Sequence, residues 1–183
     1  MIEKFADILL VGGHANSLGR TDEVIDVVRN NKARMDELFD CLFHADAWVR
    51  MRAADALEKI SREYPKWLEP YINTLQSSLS KSAQASIQWH LAQIYRNVSL
   101  TKQQKHQAIQ WLQNLLSTTE VDWIVAANAM ETLVQFTLDG FVPQKQTTAI
   151  INVQLGHSST SVVKKANKLL AKLNTNPAGT ISA

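Results

Sequence analysis

A single cysteine, Cys41, stands in the 183 residues, so no disulfide can close within the chain. Four prolines and six glycines are few. Between Asp22 and Gln135 no stretch alternates apolar and polar residues as a half-buried strand would. Helix is therefore the expected element throughout. Long hydrophobic runs are missing as well: the nearest, Phe5 to Val11, is too short to span a bilayer and contains Asp7. No early segment pairs a basic stretch with a signal-like apolar run, so a cytoplasmic protein without a membrane anchor is expected.

Chemistry-bearing constellations are equally scarce. The five histidines, His14, His44, His90, His106 and His157, lie far apart, with no HExxH spacing and no second cysteine, so no metal and no cofactor is expected. His44 and Asp46 could suggest a catalytic dyad, but no nucleophile adjoins them and Asp46 has a helix to cap. The one glycine-rich stretch, GGHANSLGR (12–20), has neither the GxGxxG nor the GxxxxGK[ST] spacing that wraps a phosphate. It reads as a helix C-cap and loop, with Thr21 as the next N-cap. Cys41, beside Leu38 and Leu42 on an apolar face, reads as a buried, inert thiol. Acids are absent from Phe141 onward, where five lysines (145, 164, 165, 168 and 172) accumulate, leaving 14 of the 19 basic residues to set against all 17 acids. The C-terminal end is basic and the body mildly acidic.

What the chain does have is 45% hydrophobic and 20% charged residues, an ordinary balance for one domain with a core. In DAWVRMRAADALEKI (46–60), on a wheel of about 100° per residue, Val49, Ala53, Ala56, Leu57 and Ile60 share one side. Met51, Asp55, Glu58 and Arg62 fall opposite. This is an amphipathic helix with a small-residue seam, Asp46 as its N-cap and Arg50 within reach of Asp46.

The same pattern returns along the chain. Ala53, Leu57 and Ile60 match Ile87, Leu91 and Ile94 after 34 residues, and two further shifts of 39 lead through Ala126 and Ala127 to Ala166. Each such helix follows another apolar one: MDELFDCLF, KWLEPYINTLQSSL, HQAIQWLQNLL and TTAIINVQL. Helix pairs repeating at 34 to 39 residues indicate a stacked solenoid. The punctuation agrees: Pro65 ends one helix, Thr101 with Gln104 makes a capping box, and Asp139-Gly140 followed by Pro143 separates two helices.

Asp46, Val49, Arg50, Ala53, Ala54, Ala56 and Leu57 resemble the second-helix pattern of HEAT repeats, D..VR..AA.AL, and Pro70 resembles the proline of their first helix. The resemblance covers residues 32–173, with 1–31 as a degenerate first pair. It implies an all-α fold, a right-handed α-α superhelix of about four to five stacked HEAT-like pairs, in one domain over 1–173. A disordered tail is expected over 174–183.

It also implies a concave face lined by the second helices. The positions opposite the apolar stripes are then candidate partner-binding residues: Asp55, Glu58 and Arg62; Trp89, Gln93 and Arg96; Asn128, Glu131, Thr132 and Gln135; Lys164 and Lys168. Of the five tryptophans, Trp67, Trp111 and Trp123 are expected in packing and Trp48 half buried. Trp89 falls opposite Ile87, Leu91, Ile94, Tyr95 and Val98 and is expected exposed, as a binding anchor. With no catalytic constellation, the leading function is a non-enzymatic protein-interaction or scaffold module binding another protein. The alternative is a DNA-binding protein related to the HEAT-like alkylation-repair glycosylases, although only the last repeat carries the basic surface that nucleic acid needs, so binding there would be weak. A HEAT-like bilin lyase or chaperone rests on fold analogy alone.

Overall fold

The computed structural model describes residues 3–12 and 17–175. Among them are ten α-helices and no strand: α1 Phe5–Leu10, α2 Thr21–Asn30, α3 Met35–Asp40, α4 Ala47–Glu63, α5 Ile72–Ser77, α6 Ala85–Asn97, α7 Lys102–Leu116, α8 Trp123–Leu138, α9 Gln144–Val153 and α10 Thr160–Thr175. They follow one another as a HEAT-like helical solenoid. Most of the expected tail lies outside the described residues, and α10 runs on to Thr175.

The even-numbered helices are long and the odd ones mostly short, for reasons the sequence carries. Asp46 Oδ1 accepts from the Trp48 and Val49 N–H groups at 2.7 and 3.3 Å, starting α4; Pro65, unable to continue it, follows its end at Glu63. KWLEPYINTLQSSL, expected as one helix, is broken into 3-10 turns at Pro65–Trp67, Glu69–Tyr71 and Leu79–Lys81 around the short α5. The Thr101–Gln104 capping box starts α7. At the end of α8, Gly140 takes φ +81° and the Phe141 and Gly140 amides donate to Phe136 O and Thr137 O, a Schellman closure.

The chain packs into two compact units, Met1–Tyr71 with Ser82–Ser99, and Ile72–Lys81 with Leu100–Ala183. In the first, α4 is the hub, in contact with α1, α2, α3 and α6. Its Val49, Ala53, Ala56 and Ile60 are completely buried, as the small-residue seam requires. In the second, α8 is the hub against α7, α9 and α10. Ala126, Ala129 and Leu133 are fully buried there.

One local device recurs in both units. Two residues before an N-cap, a side chain accepts the cap residue's own N–H: His44 Nδ1 from Asp46 (3.0 Å), Ser82 Oγ from Gln84 (3.2 Å) and His157 Nδ1 from Ser159 (2.9 Å). His157 then donates from Nε2 to Val121 O at 2.8 Å, which holds the turn to its neighbour. His44 beside Asp46 is thus turn architecture.

Arg50 does not pair with Asp46. Its guanidinium donates to the carbonyls of His44 and Ala45 and to Gln84 Oε1. Thr21 is likewise inside α2 and not its cap, with its hydroxyl donating to Leu18 O.

Candidate functional site

The candidate surface is the polar side of the even-numbered helices, and each unit presents its own part. In the first unit, α4 has neighbours on nearly every side, so residues opposite its apolar stripe are enclosed as well. Glu58 is 2% exposed and Met51 is buried, which corrects their expected place on the solvent face. Glu58 Oε1 accepts from Arg62 Nε at 2.7 Å and from Asn97 Nδ2 at 3.2 Å, and Asn97 also donates to Ser61 Oγ at 2.8 Å. A carboxylate can be buried here because charged and amide donors replace its water.

Asp55 is largely enclosed too. Its Oδ2 lies 3.0 Å from Lys59 Nζ, and Lys59 reaches Asp22 of α2 at 3.2 Å. Its Oδ1 lies 3.7 Å from Nε2 of His90 on α6, whose Nδ1–H is committed to Ser86 O at 2.7 Å. Burial pushes the Asp55 carboxyl up, but hydrogen bonds and charge from His90 and Lys59 outweigh it and hold the group below its ordinary value. Lys59 is shifted up: burial lowers it, and Asp55 and Asp22 more than offset that. These residues tie α2, α4 and α6 together.

The remaining candidates of this unit lie on α6 and at the end of α4. Trp89 is half-buried, not exposed as expected: its ring leans against the His90 imidazole, 5.0 Å between centroids. Gln93 and Arg96, also half-buried, continue along the same helix, and Arg62 keeps 59% of its side chain in solvent.

In the second unit Thr132 is completely buried, a further correction. Asn128 donates to Ile124 O at 2.8 Å and Gln135 to Asp139 Oδ1 at 2.8 Å, so both are engaged within or just beyond α8. Glu131 meets Lys165 of α10 at 2.5 Å. Lys164 and Lys168 are exposed. Lys168 shares a cleft of about 520 Å³ with Glu131, Lys165, Leu169, Ala171, Lys172 and Thr175.

The tryptophans divide differently from the expectation. Trp123, expected in packing, opens α8 and is 53% exposed; Trp48 is 38% exposed; Trp67 and Trp111 are half-buried. Trp67 stacks on Tyr64 at 4.2 Å, and Trp111 donates to Ser80 O at 2.9 Å. Cys41 is buried, its Sγ–H directed to Glu37 O at 3.3 Å. Burial, with the Glu37 and Asp40 charges, pushes the thiol up to about 12, which removes its nucleophilicity at neutral pH.

The pattern missed Arg52. This side chain is 2% exposed, and its fork donates to Leu9 O, to Gly12 O at 2.6 Å and to Ser17 O at 3.0 Å. Gly12 and Gly19 flank it at φ +89° and +53°, and a Cβ on Gly19 would stand 2.6 Å from Gly12 O. The described ends of the glycine-rich stretch, at Gly12 and Ser17, thus meet on an arginine of α4. His14 lies outside the described residues.

Among the described residues no group of three or more His, Cys, Asp or Glu side chains is placed to hold a metal ion, and no helix is long and apolar enough to cross a membrane. The fold and this surface define a helical-repeat protein whose polar faces are largely knitted into its own packing. A family model for a HEAT repeat domain matches residues 14–121, more than half of the chain, and the chain belongs to that family. No curated protein and no solved structure matches it. HEAT repeats are in general protein-interaction scaffolds and not catalysts.

Proposed function

We propose that this protein is a non-enzymatic scaffold that docks a segment of another protein on the polar side of α6 in the first unit, with Trp89 as the anchor. The observation that carries the reading is Trp89 itself. It is a large amphipathic ring left partly open on α6 beside Gln93 and Arg96, in tilted contact with the His90 ring. Interface anchors are commonly Trp or Arg set among polar groups that exclude water. Burial of Glu58 and Thr132 removes them from the binding set. Contact with His90 lowers the entropy lost when Trp89 is immobilised.

The experiment is affinity capture with wild type and Trp89→Ala side by side, each checked for native helicity. Proteins retained by wild type should be depleted by the variant, and isolated partners should bind it about tenfold or more weakly. An unchanged set of partners would remove the anchor and the proposal with it.

A further inference from the structure

The second unit holds a cleft that none of this uses. It has a volume of about 370 Å³ and is lined by Leu100, by Lys102, Lys105, His106 and Ile109 of α7, and by Phe141 in the turn after α8. From this geometry we infer a docking site for an acidic peptide segment carrying one apolar or aromatic side chain.

Phe141 is 52% exposed, and its place is set by the backbone. The Schellman closure fixes the residue before it, Val142 beside it is buried, and Pro143 leads into α9. A rigidly presented ring loses little freedom on binding. With Leu100 and Ile109 it makes an apolar floor for one side chain.

Around that floor the charge has one sign. Lys105 Nζ stands 3.4 Å from the Phe141 ring centroid and 5.6 Å from that of Phe136, and Lys102 and His106 complete the rim. No carboxylate lines the cleft: Asp139, two residues before Phe141, takes a hydrogen bond from Gln135. Among the described residues neither Lys102 nor Lys105 is in an ion pair. Two ammonium groups beside an apolar floor suit carboxylates flanking an apolar anchor.

Nucleic acid fits less well. Two lysines neutralise few phosphates, whereas they match the carboxylates of a short acidic segment. The site is independent of Trp89, which belongs to the other compact unit.

The test uses the full chain and a fluorescein-labelled Asp-Glu-Trp-Glu-Asp peptide at low salt, followed by fluorescence anisotropy. Saturable binding is expected, weakened about tenfold or more by Lys102→Glu with Lys105→Glu, by Phe141→Ala and by alanine in place of the peptide's tryptophan. Lys145→Glu, on exposed α9 surface, should change it less than about twofold, and Trp89→Ala should leave it intact whatever becomes of the scaffold proposal. Circular dichroism checks that each variant is folded. The inference is overturned by absence of saturable binding, by Phe141→Ala binding as wild type, or by Lys145→Glu weakening binding as much as the cleft variants. A single-stranded oligonucleotide that outcompetes the peptide would overturn it in favour of nucleic acid.

Discussion

Arg52 is the residue whose replacement should cost most without touching any proposed site. Its fork satisfies three carbonyls at the end of α1 and in the loop before α2, and Arg52→Met would leave those acceptors with no donor in a dry place. Urea unfolding should show a loss of about 3 kcal/mol or more, and Arg52→Lys should not restore it, since one ammonium cannot reproduce the fork. A variant within about 0.5 kcal/mol of wild type would mean that water replaces the guanidinium. Asp55 gives a pH-dependent counterpart. Its folded-state carboxyl lies below the ordinary value, so its stabilisation is present above the unfolded pKa of about 3.9 and is lost as pH falls through the folded value. Asp55→Asn should therefore be less stable than wild type at pH 7, with the gap closing in acid. Urea unfolding from pH 7 down to pH 3 follows it, and a gap that stays constant would show that the carboxylate's charge has no part. Trp89→Ala belongs between surface and core: half-buried against His90, it should cost about 1–2 kcal/mol, against the 3–5 of a fully buried Trp. Thermal melts of the variant measure it.

At the scale of the element, the apolar stripes and most of the helix punctuation were legible, the Thr21 cap excepted, and the polar faces were not. Asp46, the Thr101–Gln104 box, Pro65 and Gly140 act where a few neighbouring residues decide the geometry, and all do in the structure what their spacing implied. The wheel for α4 failed on Glu58 and Met51 because it assumes one neighbour and one apolar stripe. A hub helix between α2 and α6 with α3 alongside buries a far wider arc. Trp123 was misplaced for the converse reason: at the first position of α8 it precedes the turns that pack against α7 and α10. The buried seam makes its own prediction. Ala53 is 0% exposed, so Ala53→Leu should lower stability by about 1–3 kcal/mol although it adds only apolar atoms. A melting temperature equal to wild type would place the seam elsewhere.

For the whole molecule, the charge asymmetry sets the expectation. The acid-free stretch from Phe141 places Lys164 and Lys168 exposed on α10, while Lys165 is engaged by Glu131. Binding of duplex DNA should be weak, fall steeply as salt rises and be lost by roughly 200 mM, because it rests on the release of a few counterions. Gel-shift titrations at two salt concentrations test this. Tight salt-resistant binding, or release of an alkylated base, would move the glycosylase-related reading into first place. The amino-acid order alone determined the all-helical pairing, its period of 34 to 39 residues and the HEAT grammar of α4, because propensity, capping and apolar spacing act over a few turns of chain. Only the tertiary structure decided which polar residues remain on the surface. Arg52, Asp55, Glu58 and Thr132 have partners or walls supplied by segments far off in sequence, such as Leu9 and Gly12 for Arg52 and Asn97 for Glu58. Phe141 and Lys105 likewise share one cleft through packing that no local spacing encodes, since burial is a property of what the fold brings alongside.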